Sequence, residues 1–371
     1  MLFGFGSISS ARVAFSLYAL QLGASASAVG IVVATLYIVP LLISWPVGRY
    51  SDRMGSRWLL LVGAVFGICS MLIPYFLREI TALYVAGTML GVSFSFYNVL
   101  LQNLVGLMSE PHERARNFSN SSLIGATTNF AGPLFAGIAI DHGGPANACL
   151  YLVTLSVAVA VLLLKWGHIL PGGSGHGAPT GSIRHTLADA GIVRILATST
   201  LVQVGQDLYQ FYIPVYGYRI GLSASAIGGV IATFAAASFF VRFIMPHLVA
   251  RRGEETVLRY SFYLASVGFV LVPFFENVVA LALISFMFGL GMGCGQPITT
   301  MLIFSRSAEG RSGETLGLRQ TANNLMRVSS PPLFGLIASG FGLSPVFWLS
   351  ALIMGGGAIL TRSQRKERNA D

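Results

Sequence analysis

Asp207 is the one acidic residue that falls near the middle of a long apolar run, and its polar neighbours recur at helical spacing. Gln203, Gln206, Asp207 and Gln210 stand at i, i+3, i+4 and i+7, with Tyr209 beside them. A helix gathers such residues on one face. A carboxyl group set in an apolar barrier can take a proton on one side and release it on the other. Arg12, in a run that also carries Ser9 and Ser16, is the cation the sequence offers as its partner; a static ion pair is the competing reading. Other apolar runs carry similar stripes: Ser95, Asn98 and Gln102; Gln296 and Thr300; Gln320, Asn323, Asn324 and Arg327. Ser16, Asn98, Gln102, Gln203, Gln206, Tyr209, Gln210, Gln296, Thr300, Asn323 and Arg327 are therefore candidates to line a polar cavity. For any single amide, bonding between helices is the plainer explanation. Arg242 lies nearer the end of its run and reads as a side chain that snorkels to water.

The surroundings of these residues are those of a membrane protein. Of 371 residues, 54% are hydrophobic and only 10% charged, against roughly 25% charged in soluble domains. The net charge of +9 is not gathered into one basic, aromatic-laced segment, which argues against nucleic acid. Spans of about 20 apolar residues are read at 2–20, 28–47, 59–77, 81–106, 119–140 and 147–166. Six more follow at 191–217, 226–248, 257–275, 278–304, 314–339 and 344–361. With both termini in the cytoplasm, the inner loops receive Arg49, Arg53, Arg57, Arg114, Arg116, Lys165, Arg184, Arg194, Arg251, Arg252, Arg259, Arg306, Arg311 and Arg319. The outer loops receive only Arg78 and Arg219, the asymmetry of the positive-inside rule. Two six-helix bundles, 1–166 and 191–361, thus flank a linker at 167–190, and 362–371 form a basic tail. The linker contains Pro171-Gly172-Gly173-Ser174-Gly175, a flexible composition.

An internal repeat sets the architecture. Leu22–Thr35 and Ile220–Thr233 match at most positions without a gap, and the same offset carries Arg53 onto Arg251 and Gly55 onto Gly253. It also places Asn98 opposite Gln296. Parallel repeats of this kind hold a solute site at their interface.

Between the second and third spans the chain reads Gly48-Arg49-Tyr50-Ser51-Asp52-Arg53-Met54-Gly55-Ser56-Arg57. This resembles the G-x-x-x-D-R-x-G-x-R signature of the major facilitator superfamily, at the position where that family carries it. The resemblance spans essentially the whole chain. It implies an all-α membrane protein of twelve helices in two pseudo-symmetric six-helix bundles, with helices 1, 4, 7 and 10 lining a central cavity. It also implies a gating loop of Gly48, Asp52, Arg53, Gly55 and Arg57, in which the acid latches onto the start of helix 11 near Ser312-Gly313-Glu314. The second copy, Ala250-Arg251-Arg252-Gly253, has lost the acid, which implies an asymmetric lock. In helix 5, Gly132, Pro133 and Gly137 look like the G-P-x-x-G segment of antiporters, with plain close packing as the equal alternative. Helix 4 has glycine where many proton-coupled drug exporters carry arginine.

The expectation is a secondary active transporter of a small organic solute, with proton-coupled efflux preferred and uptake of a metabolite, such as an organic anion, by symport as the alternative. A non-transporting sensor or assembly protein on the same fold is the reading of another class; the intact Asp52 loop argues against it. No nucleotide-binding loop and no nucleophile–base pair is present, so an ion gradient is the expected energy source and enzymatic activity is not expected. Cys69, Cys149 and Cys294 sit singly in apolar runs, and His168, His176 and His185 are loosely spaced; no metal or cofactor is expected. The expected partners are the solute, protons or another coupling ion, and lipid, with one chain sufficing in the cell inner membrane.

Overall fold

The computed structural model describes residues 1–173 and 183–368. Among them are twelve long helices: α1 (Leu2–Gln21), α2 (Ala26–Met54), α3 (Ser56–Phe76), α4 (Ile80–Leu107), α5 (114–143), α6 (145–166), α7 (Ala190–Arg219), α8 (Ala224–Arg252), α9 (Glu254–Leu271), α10 (Val278–Arg306), α11 (Ser312–Phe341) and α12 (Leu343–Arg368). The break between α5 and α6 is the single residue Gly144, whose φ of 74° interrupts an otherwise continuous helical path. Within the segment expected as a linker, a short helix covers Ile183–Ala188; residues 174–182 lie outside the described residues, as do 369–371 of the basic tail.

Most helices are long and apolar enough to cross a bilayer. Those that fall short are α1, α7 and α11, which carry Arg12, Asp207 and Arg327 with their polar neighbours. Polar stripes are what lower their hydropathy, and a polar stripe needs a face turned away from lipid.

The repeat is visible in the backbone. Gly23 and Gly221, Gly55 and Gly253, and Gly144 and Gly342 are three pairs at one constant offset, and all six have φ between 74° and 87°. Left-handed backbone is open to glycine at little cost. Ser25 and Ser223 cap α2 and α8 alike, each accepting from the N–H three residues on at 3.3 Å.

The chain folds as two compact units, and each takes in the start of one helix from the other repeat. The first comprises Met1–Glu110, Leu123–Thr180 and Ser307–Asn324; the second comprises Pro111–Ser122, Gly181–Arg306 and Leu325–Asp371. In the first, α2 and α3 pack on α4; in the second, α8 packs on α10 and α12 on α9. The glycine run of α10 admits these neighbours. A Cβ on Gly289 would lie 2.5 Å from the Phe234 carbonyl of α8, and one on Gly291 would lie 2.9 Å from the Ser261 carbonyl of α9. Small residues of this kind let membrane helices approach closely.

Candidate functional site

In the second unit, Asp207 is the centre of a polar cluster. The Gln203 side-chain amide, one turn earlier on α7, donates to both carboxylate oxygens at 2.9 Å. Arg327 of α11 brings its Nε to 3.5 Å from Oδ2. Gln296 of α10 donates to Gln203 Oε1 at 3.0 Å, and Thr300 back-bonds to the Gln296 carbonyl at 2.7 Å. Two helices therefore meet at one carboxylate, which has room for several donors, and α10 joins them through Gln203. Within its own unit, the cation beside Asp207 is Arg327; the sequence suggested Arg12. Arg327 shares a compact unit with Asp207, whereas Arg12 belongs to the other, where it donates to the Tyr37 hydroxyl at 3.1 Å and its carbonyl accepts from Ser16.

Two other stripe residues have different roles from those expected. Tyr209 is 1% exposed, stacks on Phe288 with centroids 4.2 Å apart, packs on Phe234 and Phe269, and donates to Ser285. It is a core aromatic of the unit and not a cavity wall, because its ring sits on the apolar side of α7. Gln206 donates to the Met292 carbonyl of α10 at 2.8 Å, so its amide serves the helix backbone. Gln210 is exposed.

In the first unit, Gln102 donates to Asn98 at 2.7 Å and accepts from Arg319 of α11 at 3.2 Å. Arg319 was assigned to an inner loop by charge topology. It is instead 1% exposed, since α11 already begins at Ser312. The spacing Arg319, Asn323, Arg327 (i, i+4, i+8) is the signal that places it on the polar face of α11. Asn323 and Gln320 are also buried there.

The same unit holds the loop motif. Asp52, beyond the apolar stretch of α2, accepts the backbone N–H groups of Gly313 at 2.8 Å and Glu314 at 2.7 Å. These are orphan donors at the start of α11, where the helix dipole favours a carboxylate. Around this contact, Ser312 donates to Asn103 at 2.7 Å, Trp45 donates to Glu314 at 3.3 Å, and Arg311 pairs with Glu314 at 2.9 Å. Asn103, Trp45 and Arg311 carry no signal in the loop motif itself. Gly55 packs on Gly172 and Gly173, and Arg57 donates to the Leu164 carbonyl at 3.4 Å; Arg53 is exposed. In α5, a Cβ on Gly132 would lie 2.6 Å from Ser9 of α1, while Gly137 has open space. Close packing accounts for the first glycine of that motif and not for the last.

A twelve-helix membrane protein with duplicated halves and ionisable residues inside its apolar helices is a solute carrier by class. The family model of the Major Facilitator Superfamily matches residues 1–331, and the chain belongs to that family of transporters. It is 23% identical over 367 residues to the multidrug resistance protein MdtG of Salmonella choleraesuis, covering 95% of this chain and 90% of that one. It is 20% identical over 353 residues to the MFS-type transporter YuxJ of Bacillus subtilis, covering 91% and 88%. Among solved structures, the human organic anion transporter MFSD10 aligns with a TM-score of 0.78 at 13% identity, covering 97% of this chain and 98% of that one. The fucose:proton symporter FucP of E. coli aligns at 0.79 and 13%, covering 97% of each. At these identities the solved structures speak for the fold alone.

Proposed function

We propose that this transporter exports a small organic solute in exchange for protons, by alternating access, with Asp207 as the coupling carboxylate. The observation that carries the reading is the shared environment of Asp207. Its ionised form is held by Gln203 and by Arg327. Protonation removes the charge that attracts Arg327 and leaves one oxygen a donor instead of an acceptor. The cluster on α7, α10 and α11 must then rearrange. A proton thus has a direct lever on helices from which both candidate stripes and the start of α11 are built. Asp52 serves in this reading as a latch that is made and broken once per cycle. Likeness to a multidrug resistance protein supports export; in this reading the protein sits in the cell inner membrane with both termini cytoplasmic, which the distribution of Arg and Lys among the loops supports.

One observation favours a second reading. Arg12, Arg242, Arg319 and Arg327 all lie on long helices, whereas Asp207 is the acid read near the middle of its apolar run. An excess of cations suits an anionic solute, carried inward by symport or outward by exchange.

The test uses everted membrane vesicles with an acidified lumen and a fluorescent pH reporter, challenged with a panel of drugs and metabolites. Compound-triggered proton release by wild type and not by Asp207→Asn is the expected result. Equal responses from both would remove Asp207 from the coupling role, and silence across the panel would favour the anion reading.

A further inference from the structure

The second repeat has lost the acid of the loop motif, yet the start of α5 is held in the second unit as firmly as the start of α11 is in the first. The contact points are equivalent. By the repeat offset, Ser44 of α2 corresponds to Arg242 of α8. A Cβ on Gly317 of α11 would lie 2.4 Å from the Ser44 carbonyl, and Ser119 of α5 donates its hydroxyl to the Arg242 carbonyl. The side chains at the two positions differ completely. Ser44 bonds to its neighbour Ser95 at 2.9 Å. Arg242 reaches two backbones at once: Nε donates to the Gly293 carbonyl of α10 at 3.0 Å, and Nη1 donates to the Ser122 carbonyl of α5 at 3.2 Å. The side chain read as snorkelling to water is engaged on protein backbone instead.

The first of these targets is explained by the sequence. Pro297 has no N–H to give the carbonyl four residues before it, and that carbonyl belongs to Gly293. Here α10 breaks, its helical stretches ending at Met292 and resuming at Gly295. The first repeat has Val99 in place of Pro297, and α4 runs unbroken from Ile80 to Leu107. A carbonyl without a partner inside a membrane protein is costly, and a guanidinium with its fork of donors can serve the Gly293 carbonyl while it also holds the Ser122 carbonyl of α5. The adjoining Met292 carbonyl is taken by Gln206, the residue next to Asp207. The start of α5 adds further contacts on the inner part of α10: Phe118 is buried against Phe304, and the Arg114 guanidinium lies 5.0 Å from the Phe304 ring centre.

We infer that Arg242 is the lock of the second repeat, a positioning residue that fastens the start of α5 to the break in α10, as Asp52 fastens the start of α11 to α2. The two repeats close with opposite chemistry. An acid on one side accepts the free N–H groups of a helix start; a base on the other donates to the carbonyl left open at the break in α10 and to one at the start of α5. Because Gln206 and Arg242 grip adjacent carbonyls of one break, a rearrangement at Asp207 reaches the start of α5 through two hydrogen bonds and a hinge. That link rests on the transporter reading above; the lock itself does not, and its test needs no solute.

The native cysteines report on it. Cys294 lies in the break, 1% exposed, with Sγ 3.7 Å from the Val241 carbonyl beside Arg242; Cys149 is equally buried in the other unit. Purified protein is treated with a small maleimide, and the modification of each cysteine is followed by mass spectrometry. In Arg242→Gln, modification of Cys294 is expected to rise about tenfold, as a lock worth one hydrogen-bonded charge opens, while Cys149 stays at the wild-type rate. Arg242→Lys, which keeps a donor, should fall between. An unchanged Cys294 rate would overturn the inference, and so would a parallel rise at Cys149, which would mean general loosening. Should Arg242→Gln fail to fold, Ser119→Ala decides: it removes only the hydroxyl bond from α5, and an unaltered Cys294 rate there would equally overturn the lock.

Discussion

Gly48 and Gly313 approach so closely that a Cβ on Gly48 would lie 1.9 Å from the Gly313 carbonyl oxygen. No side chain fits, so the glycine that opens the loop motif is a requirement of the contact between α2 and the start of α11. The approach also sets Asp52 against the N–H groups of Gly313 and Glu314. Gly48→Ala should therefore break the Asp52 contact without touching Asp52. Overpacking of this kind costs about 1–3 kcal/mol, enough to depopulate the latched state roughly fivefold or more. Gly48→Ala and Asp52→Asn are expected to share one phenotype: slowed turnover with solute affinity near wild type. Normal turnover in either would remove the latch.

The Asp207 cluster makes a different prediction for its cation. With Arg327→Gln the carboxylate keeps Gln203 but loses the guanidinium 3.5 Å away. Proton-driven transport should weaken in Arg327→Gln and vanish in Asp207→Asn. Arg12→Gln, whose side chain meets Tyr37 in the other unit, should leave the pH profile in place. Transport assays over a pH series, with internal and external pH varied separately, check all three.

How far the sequence discloses these arrangements depends on the range of the contact. The repeat is legible because glycines such as Gly55 and Gly253 are demanded locally by a left-handed backbone. Asp52 can be read because the loop motif marks it, and its meeting with the start of α11 follows from what the family resemblance implies. The pairing of Arg327 with Asp207 cannot, since it depends on how α7 and α11 pack, and helical spacing within one element says nothing about its neighbour. Tyr209 shows the same limit. It is two residues from Asp207, and only the packing of Phe234 and Phe288 around it assigns it to the apolar side. The role of Arg242 is hidden for the same reason, since the carbonyl that Pro297 leaves open on α10 meets it only through the packing of α8 on α10.

Asp189 offers a stability test outside the membrane helices. It caps α7, accepting the N–H groups of Gly191 at 2.8 Å and Ile192 at 3.2 Å, with Arg306 at 3.4 Å. Burial pushes its carboxyl up, but those two N–H groups and Arg306 together hold it below the usual carboxylate range. A depressed acid stabilises the fold fully above its unfolded value of about 4 and loses that contribution as pH falls through its folded value. Asp189→Ala should cost about 1 kcal/mol near neutral pH and progressively less on acidification. Thermal unfolding in detergent at several pH values reads this, and a cost that is the same at every pH would contradict the ionised cap.

Tyr209 separates packing from transport. Its hydroxyl donates to Ser285, and its ring completes the stack with Phe288. Tyr209→Phe keeps the ring and removes the bond, while Ser285 still donates to the Leu281 carbonyl at 2.6 Å. No buried donor is stranded in the variant, so the loss should be about 1 kcal/mol of stability, with transport kinetics unchanged. Tyr209→Ala empties a buried site 1% exposed and should cost about 3–5 kcal/mol by analogy with other buried aromatics. A Tyr209→Phe variant that kept its thermal midpoint but altered solute specificity would return the residue to the cavity. The neighbouring Gln203, which holds Asp207, should behave in the opposite way: Gln203→Leu is expected to change the pH profile more than the midpoint, because its amide is committed to the carboxylate and not to the core.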